Sequence, residues 1–165
     1  MNSLAGVTFD EVGASHPDAL HAMSRYFTEL DARFDGGFES GDTLTADAPS
    51  MTAPEGAFVV AHSQGAPIAC GGVVRMDDRT AEIKRMWVDP DWRGLGLGKR
   101  LLANLESQAI RLGFVVVRLD TNSVLTEAIA MYERAGYHAI ERYNDNLYAR
   151  HWFEKQLPED TSTAG

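Results

Sequence analysis

Three glycines in alternate positions, Gly94, Gly96 and Gly98, stand between two basic residues, Arg93 and Lys99. Glycine has no Cβ, so consecutive backbone N–H groups can turn toward one point and bind an anion. A strand-like run that ends in an Asp-Pro turn precedes this segment, and apolar residues at helical spacing follow it. A phosphate would be favoured there by the partial positive charge of the helix N-terminus. The pattern therefore predicts a phosphate-binding loop, with tight packing of a helix start as the alternative.

Spacing separates three kinds of phosphate loop. A P-loop requires Gly-x-x-x-x-Gly-Lys-Ser/Thr, but Arg93 takes the place of its first glycine and the magnesium-binding hydroxyl is missing. A dinucleotide loop requires Gly-x-Gly-x-x-Gly, and Lys99 takes the place of its third glycine. Asp120, at the end of the next predicted strand, imitates the ribose-binding acid of that second kind. The pattern that fits is Arg/Gln-x-x-Gly-x-Gly/Ala, with Arg93, Gly96 and Gly98.

This loop resembles the pyrophosphate loop of the GNAT superfamily of acetyl-CoA-dependent N-acetyltransferases. Members of that superfamily carry a strand that ends in Val-x-Pro before the loop, as residues 88–90 do here. After the next strand they carry a short helix with the pattern Ala-x-x-x-Tyr-x-x-x-Gly-Tyr/Phe, which residues 128–137 match. Two motifs at family spacing are more specific than either alone, and the resemblance extends over residues 58–153.

The resemblance implies a single α/β domain with a GNAT-like fold over residues 1–157, followed by a disordered tail at 158–165. Its centre would be a mixed, mostly antiparallel sheet with helices on both faces and a splayed pair of parallel strands at the cofactor site. Ser15 is the predicted N-cap of the first helix, whose end we place at 36–37. The last two strands are predicted at 137–141 and 147–153.

Composition bounds the class of protein. A chain of 165 residues with 44% hydrophobic content has the size and core of one domain. The single cysteine, Cys70, cannot form an internal disulfide and indicates a reducing compartment. No apolar run reaches the ~18 residues that span a bilayer, and the N-terminus lacks the features of a signal peptide. We therefore predict a cytoplasmic protein without a membrane partner.

Charge is distributed unevenly along the chain. The net charge is −9 and the pI is near 4.9, which argues against nucleic acid as a partner. Between residues 10 and 55, only Arg25 and Arg33 oppose ten acidic residues, whereas basic residues gather around the glycine loop. The region around the glycine loop thus suits a polyanionic cofactor, and the acidic N-terminal part suits an amine-bearing acceptor. A solvated acidic surface is the alternative.

The resemblance further implies that acetyl-CoA binds along the strand-to-helix junction as a co-substrate, without a metal. The amides of its pantetheine arm would pair with the backbone of Met86, Trp87 and Val88. The pyrophosphate would be held by the loop residues Arg93, Gly94, Leu95, Gly96, Leu97, Gly98 and Lys99. Many members place a cofactor-binding Asn at the position of Leu125, so Asn122 is either a substitute or a turn cap.

Acyl transfer to an amine requires a neutral amine, a polarised carbonyl and a proton donor for the departing thiolate. Tyr132 matches the tyrosine that protonates the thiolate in GNAT proteins; a core aromatic is the alternative. Glu82 lies eleven residues before Arg93, the offset of the base glutamate in the histone-acetyltransferase branch. An ion pair of Glu82 with Lys84 or Arg85 is the simpler interpretation.

The acceptor pocket is expected to include Tyr26, Glu29 and Tyr143, because GNAT proteins build that pocket from these regions. Our leading hypothesis is an N-acetyltransferase, monomeric or homodimeric, that acetylates a primary amine of a small molecule in a ternary complex. The alternatives are an acyl-CoA-sensing or regulatory module without turnover, a longer acyl-CoA donor, and a protein lysine or N-terminus as acceptor. Retention of both Tyr132 and Glu82 favours the enzyme, because a sensor needs only the loop.

Overall fold

A computed structural model describes residues 2–33, 48–121, 126–146 and 148–158. Their strands are β1 (Thr8–Val12), β2 (Gly56–Ser63), β3 (Ala66–Arg75), β4 (Thr80–Val88), β5 (Val116–Thr121), β6 (His138–Ala139) and β7 (His151–Gln156). The α-helices are α1 (Pro17–Arg33), α2 (Leu97–Arg111) and α3 (Thr126–Arg134), with 3-10 turns at Ala48–Met51 and Pro90–Trp92. None of the helices in these ranges is long and apolar enough to cross a membrane.

The seven strands form one sheet in the order β1-β2-β3-β4-β5-β7-β6. All neighbouring strands are antiparallel except β4 and β5, which are parallel. This exception follows from the chain path, because α2 carries the chain back to the edge where β4 began. The predicted mixed, mostly antiparallel sheet is confirmed.

Helices cover both faces of the sheet, and β2 shows how the sequence specifies this. Val59 and Ala61 are buried in the core that contains α2, whereas Phe58 and Val60 are buried in the core that contains α1. Successive strand residues point to opposite faces, so a continuous apolar strand serves two cores. Burial of each such valine or phenylalanine contributes about 1.5–3 kcal/mol. The predicted two-sided arrangement is confirmed.

The start of α1 corrects the prediction of a Ser15 cap. The helix begins at Pro17, and the Nδ1 atom of His16 accepts a hydrogen bond from the backbone N–H of Asp18 at 3.0 Å. The carboxylate of Asp18 contacts His62 Nε2 at 2.9 Å, so it does not complete a capping box with Ser15. The predicted helix end at 36–37 lies outside the described residues.

The last two strands also differ from the prediction. The predicted strand at 137–141 is reduced to β6, and the one at 147–153 starts later and continues to Gln156. Pairing with β5 sets this register, because β7 runs from His151 opposite Thr121 to Gln156 opposite Val116. Leu157 adds a backbone hydrogen bond to Val115 at 2.8 Å. Residues 159–165, most of the predicted tail, lie outside the described residues.

Candidate active site

The β4–β5 pair is joined only near its start. The two strands pair from Thr80 opposite Val116 to Glu82 opposite Arg118. Within the described residues no further β4–β5 pairing follows, although β4 continues to Val88. The edge of β4 beyond Glu82 therefore faces a gap in which a ligand with amide groups can take the place of a strand. This gap is the predicted splay.

A bulge in β4 decides which side chains face the gap. The register between β3 and β4 shifts between Cys70 and Gly72, where β4 has an extra residue. Arg85 has a φ of 60°, in the left-handed region that residues other than glycine seldom adopt. Ile83 packs in the core that contains α2, and so does Met86, three residues later. Strict alternation would turn Met86 to the other face, so the bulge redirects it toward the gap.

The glycine loop leads directly into α2. Gly94 and Gly96 have φ values of 80° and 87°, which only glycine adopts without strain. Gly96 is the N-cap of the 15-residue α2 and makes no side-chain cap, and the first turn carries no acidic residue. The first N–H groups of α2 are therefore left to a ligand, and the helix dipole favours an anionic one.

A cleft of about 470 Å³ lies along this junction. Its walls come from α1, the end of β4, the glycine loop, the start of α2 and α3. The lining residues are Tyr26, Glu29, Met86, Trp87, Val88, Arg93, Gly94, Gly96, Leu97, Gly98, Lys99, Ala128, Met131, Tyr132, Arg134 and Ala135. A Cβ at Gly98 would lie 3.1 Å from Met131 Sδ, so glycine keeps this part of the cleft open.

Arg93, the first residue of the loop, binds Glu29 on the α1 wall of the cleft. Both carboxylate oxygens of Glu29 accept hydrogen bonds from Arg93 Nη2, at 2.6 and 2.7 Å. The Nε of Arg93 donates to the carbonyl of Val88 at 2.9 Å. Glu29 also accepts from Trp87 Nε1 at 3.3 Å and pairs with Arg33 at 3.1 Å. The Arg93 guanidinium therefore contacts a protein carboxylate, and these contacts fix the start of the loop to α1 and β4.

Tyr132 of α3 forms part of the cleft wall. The residue is 6% exposed, and its ring packs against those of Tyr137 and Phe153 with centroids 5.8 and 6.1 Å away. Its hydroxyl lies 3.7 Å from the sulfur of Met86, the residue redirected by the bulge. Burial raises the pKa of the Tyr132 phenol well above its usual value, so the hydroxyl keeps its proton at neutral pH.

Glu82 lies at the last β4–β5 pair and does not line the cleft. Its side chain is 12% exposed, and Oε2 accepts hydrogen bonds from Tyr143 Oη at 2.7 Å and Asn144 Nδ2 at 3.4 Å. Oε1 is 3.9 Å from Lys84 Nζ, at the limit of an ion pair. Burial raises the pKa of the Glu82 carboxyl, and the charge of Asp120 adds to this. The Tyr143 and Asn144 hydrogen bonds and the Lys84 charge oppose the rise.

Comparison with known proteins agrees with this geometry. The sequence profile of the Acetyltransferase (GNAT) family matches residues 21–137, which is more than half of the chain. The chain belongs to the GNAT acetyltransferase family. It is 28% identical over 117 residues to the IAA acetyltransferase of Azospirillum brasilense, covering 70% of this chain and 76% of that protein.

Solved GNAT structures share the fold. A GNAT-family acetyltransferase from Staphylococcus aureus Mu50 superposes with a TM-score of 0.78 at 16% identity, over 92% of this chain and 99% of that one. A phosphinothricin acetyltransferase from Sinorhizobium meliloti, solved in complex with AcCoA, superposes with a TM-score of 0.71 at 20% identity, over 96% of this chain and 92% of that one. At these identities the likeness is one of fold, and it confirms the GNAT-like architecture.

The GNAT fold brings most of the predicted cofactor residues to one cleft. Met86, Trp87 and Val88 line it, and so do the predicted loop residues apart from Leu95, which is 37% exposed. Asn122 lies outside the described residues. Their roles in cofactor binding remain predictions. Within the described ranges no group of three or more His, Cys, Asp and Glu residues is placed to hold a metal.

The residues predicted for the acceptor side lie in two places. Tyr26 and Glu29 line the cofactor cleft, where Glu29 accepts a hydrogen bond from Arg93. Tyr143 lies in the loop between β6 and β7 and donates a hydrogen bond to Glu82 instead. The structure therefore separates a cleft wall on α1 from a polar group around Glu82.

Sequence reasoning missed two sets of residues at this site. Ala128 and Met131 of α3 and Ala135, the residue after it, complete this wall of the cleft, and they lie on the same face as Tyr132 because they are spaced by three and four residues. That spacing could have identified them. Asn144 could not be found in this way, because its contacts depend on a loop without periodicity.

Proposed function

We propose that this GNAT protein transfers the acetyl group of acetyl-CoA to a primary amine of a small molecule, directly, in a ternary complex. The observation that carries the proposal is the shared cleft of about 470 Å³. The splayed edge of β4, the uncapped start of α2 and the protonated hydroxyl of Tyr132 all border it. These groups could serve an amide-containing arm, a pyrophosphate and a departing thiolate within one ligand.

The residues of the cleft fit acetyl-CoA. The backbone of Met86 to Val88 would pair with the pantetheine amides, and the N–H groups from Gly96 to Lys99 would hold the pyrophosphate. The solved phosphinothricin acetyltransferase that shares this fold contains AcCoA, which supports the same co-substrate here. When bound, acetyl-CoA supplies the acetyl group as an activated thioester.

Tyr132 would hold the proton that the departing sulfur requires. Because burial raises its pKa, the phenol stays protonated until a stronger base approaches it. A thiolate released in the same cleft would be desolvated as well, which raises the pKa of its conjugate thiol and makes it a stronger base than in water. It could then take the proton of the phenol, which would oppose the reverse reaction. Met86 and the rings of Tyr137 and Phe153 fix the position of the hydroxyl.

Glu82 would accept the proton from the ammonium of the acceptor. A carboxyl whose pKa is raised by burial is a better base than an exposed glutamate. Because Glu82 does not line the cofactor cleft, the amine would reach it at the splay, directly or through one water. Small-molecule acceptors fit the names of two relatives, an IAA acetyltransferase and a phosphinothricin acetyltransferase.

Turnover against an amine panel tests the proposal. Thiol release from acetyl-CoA is measured with polyamines, amino acids, aminoglycosides and a lysine peptide. We expect release with at least one small amine, and initial-rate lines that intersect, as a ternary complex requires. Parallel lines would contradict direct transfer. Binding of acetyl-CoA without release against the whole panel would favour a sensing module, and release only with the peptide would favour a protein acceptor.

A further inference from the structure

One side-chain amide joins the two carboxylates at the splay. Asn144 Nδ2 donates to Glu82 Oε2 at 3.4 Å and to Asp120 Oδ2, while its Oδ1 accepts from Trp152 Nε1 at 3.0 Å. An indole N–H can only donate, so Oδ1 must face Trp152 and Nδ2 must face the carboxylates. Asn144 is therefore held in one orientation and brings both acids to the same nitrogen.

The same contacts distinguish the two oxygens of Glu82. Oε2 accepts both of the described hydrogen bonds that come from the β6–β7 loop, from Tyr143 at 2.7 Å and from Asn144 at 3.4 Å. Within the described parts of the chain, Oε1 has only the long contact to Lys84 at 3.9 Å. A carboxylate with one oxygen fixed to a loop presents the other in a defined direction. Among the described residues, Oε1 is thus the oxygen that receives no hydrogen bond from the loop, and the proposed role as a base would fall to it.

Charged and titratable groups approach Glu82 from its own strand and from two other elements. Lys84 lies on β4, Asp120 and Arg118 lie on β5, and Tyr143 lies in the loop. Arg118 is itself paired with Glu154 of β7 at 2.8 Å, so its charge is already balanced. Asp120 is the like charge in this group, and it also accepts from Asn146 Nδ2 at 3.0 Å.

We propose that Asn144 and Asp120 are positioning residues for Glu82. Asn144 fixes the carboxylate with Oε2 toward the loop and Oε1 toward the acceptor, and Asp120 provides the neighbouring negative charge that makes Glu82 the stronger base. The inference rests on the proposed function, because it gives partners to the proposed base.

The two residues act on the pKa of Glu82 in opposite directions, which makes the inference testable. A hydrogen bond to a carboxylate favours its charged form, so removal of the Asn144 donor raises the pKa of Glu82. A like charge favours the neutral form, so removal of the Asp120 charge lowers it. A residue with a merely structural role would not produce this opposition.

The first measurement needs no substrate. The Glu82 carboxyl carbon is followed by NMR against pH in the wild type, Asp120→Asn and Asn144→Leu, and is assigned by its loss in Glu82→Gln. We expect the midpoint to fall in Asp120→Asn and to rise in Asn144→Leu. Asn146→Leu is the matched control, because Asn146 contacts Asp120 and not Glu82; it should shift the midpoint less than Asn144→Leu.

The second measurement is the pH dependence of kcat/KM with an amine that the wild type acetylates. Its acid limb should move to lower pH in Asp120→Asn and to higher pH in Asn144→Leu. Midpoints that stay unchanged in both variants, or move in the same direction, would overturn the inference. Asp120→Asn keeps the shape of the side chain but only one of the two oxygens that accept from Asn144 and Asn146. Asn146→Leu measures the effect of losing such a bond, so the two variants together decide if Asn144→Leu does not fold. Opposite NMR shifts in a protein without turnover would instead support the inference and refute the proposed function.

Discussion

Glu29 of α1 holds the guanidinium of Arg93 with both carboxylate oxygens, at 2.6 and 2.7 Å, across the cleft proposed for acetyl-CoA. Arg93 is the first residue of the pyrophosphate motif, yet its side chain contacts Glu29 and the carbonyl of Val88. This arginine therefore stabilises the loop. In the proposed complex, the phosphate contacts would therefore come from the N–H groups of α2 and from Lys99.

Replacement of Arg93 by lysine should destabilise the ligand-free protein. Lysine keeps the charge but cannot bind Glu29 and the Val88 carbonyl at once. Hydrogen bonds to charged groups contribute about 1.5–3 kcal/mol, and partial exposure of the Arg93 side chain reduces this, so we expect a loss of about 1 kcal/mol in urea unfolding. The exposed Arg100, changed to lysine, is the control and should show no loss. Unchanged stability in Arg93→Lys with weaker acetyl-CoA binding would instead indicate a direct phosphate ligand.

The parts of the site that could be predicted are those encoded by neighbouring residues. The glycine loop depends on local φ values, and the parallel β4–β5 pair follows from a single crossover helix. The helix that carries Tyr132 was recognisable because residues 128–137 resemble the short helix motif of GNAT proteins. Each of these features needs only the order of residues within one or two elements.

The contacts that could not be predicted join distant parts of the chain. Glu29 and Arg93 are 64 positions apart, and Tyr143 and Glu82 are 61 apart. The bulge at Arg85 left no signal either, because no glycine marks its positive φ. Without that bulge, alternation would have directed Met86 away from Tyr132. Such features arise from packing between elements, which local propensity does not describe.

Acetyl-CoA should raise the melting temperature of the wild type and not that of Gly96→Asp. A ligand that binds only the native state stabilises it. A Cβ at Gly96 would meet no atom within 4 Å, so the substitution introduces backbone strain and a negative charge at the start of α2 without a clash at the Cβ. That charge would repel the pyrophosphate. Thermal unfolding with and without acetyl-CoA measures the shift.

Gly65→Asp is the matched control for this experiment. Gly65 has a φ of 79° and equally open surroundings, but it lies in the β2–β3 turn and does not line the cleft. Its substitution should cost about 1–2 kcal/mol through the same backbone strain and leave the acetyl-CoA shift intact. An equal shift in Gly96→Asp would place the cofactor elsewhere.

Tyr132→Phe should lower turnover with little change in stability. The hydroxyl has a single described contact, the weak one to Met86 at 3.7 Å, and the ring packing is retained. Loss of a general acid typically costs at least ~10²-fold in rate, while affinity for acetyl-CoA should stay similar. Tyr137→Phe is the control, because that hydroxyl donates to Glu106 at 2.8 Å and does not line the cleft. Tyr137→Phe should lose stability and keep turnover. Turnover of Tyr132→Phe equal to that of the wild type would exclude Tyr132 as the proton donor.

Glu82→Gln should become more stable relative to the wild type as pH rises. The pKa of Glu82 is higher in the folded protein than in the unfolded chain, where it has its ordinary value of about 4.5. The contribution of Glu82 to the free energy of unfolding is therefore fully present below about pH 4.5. That contribution is lost as pH rises through the folded pKa, because the unfolded chain ionises more easily. Glutamine does not titrate, so the difference in unfolding free energy between variant and wild type should increase over this window. Urea unfolding at a series of pH values measures it, and a difference independent of pH would contradict the raised pKa.

Turnover of Glu82→Gln should depend on pH in a way that only a lost base explains. At neutral pH an alkylamine acceptor is almost entirely protonated, so the variant has no group to remove the proton and the rate falls. Near the pKa of the amine, about 10 for a lysine-like group, much of the acceptor is already neutral and activity should partly recover. An ion pair between Glu82 and Lys84 gives no such recovery. Rates for wild type and variant that stay parallel at every pH, with the same amine, would remove Glu82 from the mechanism.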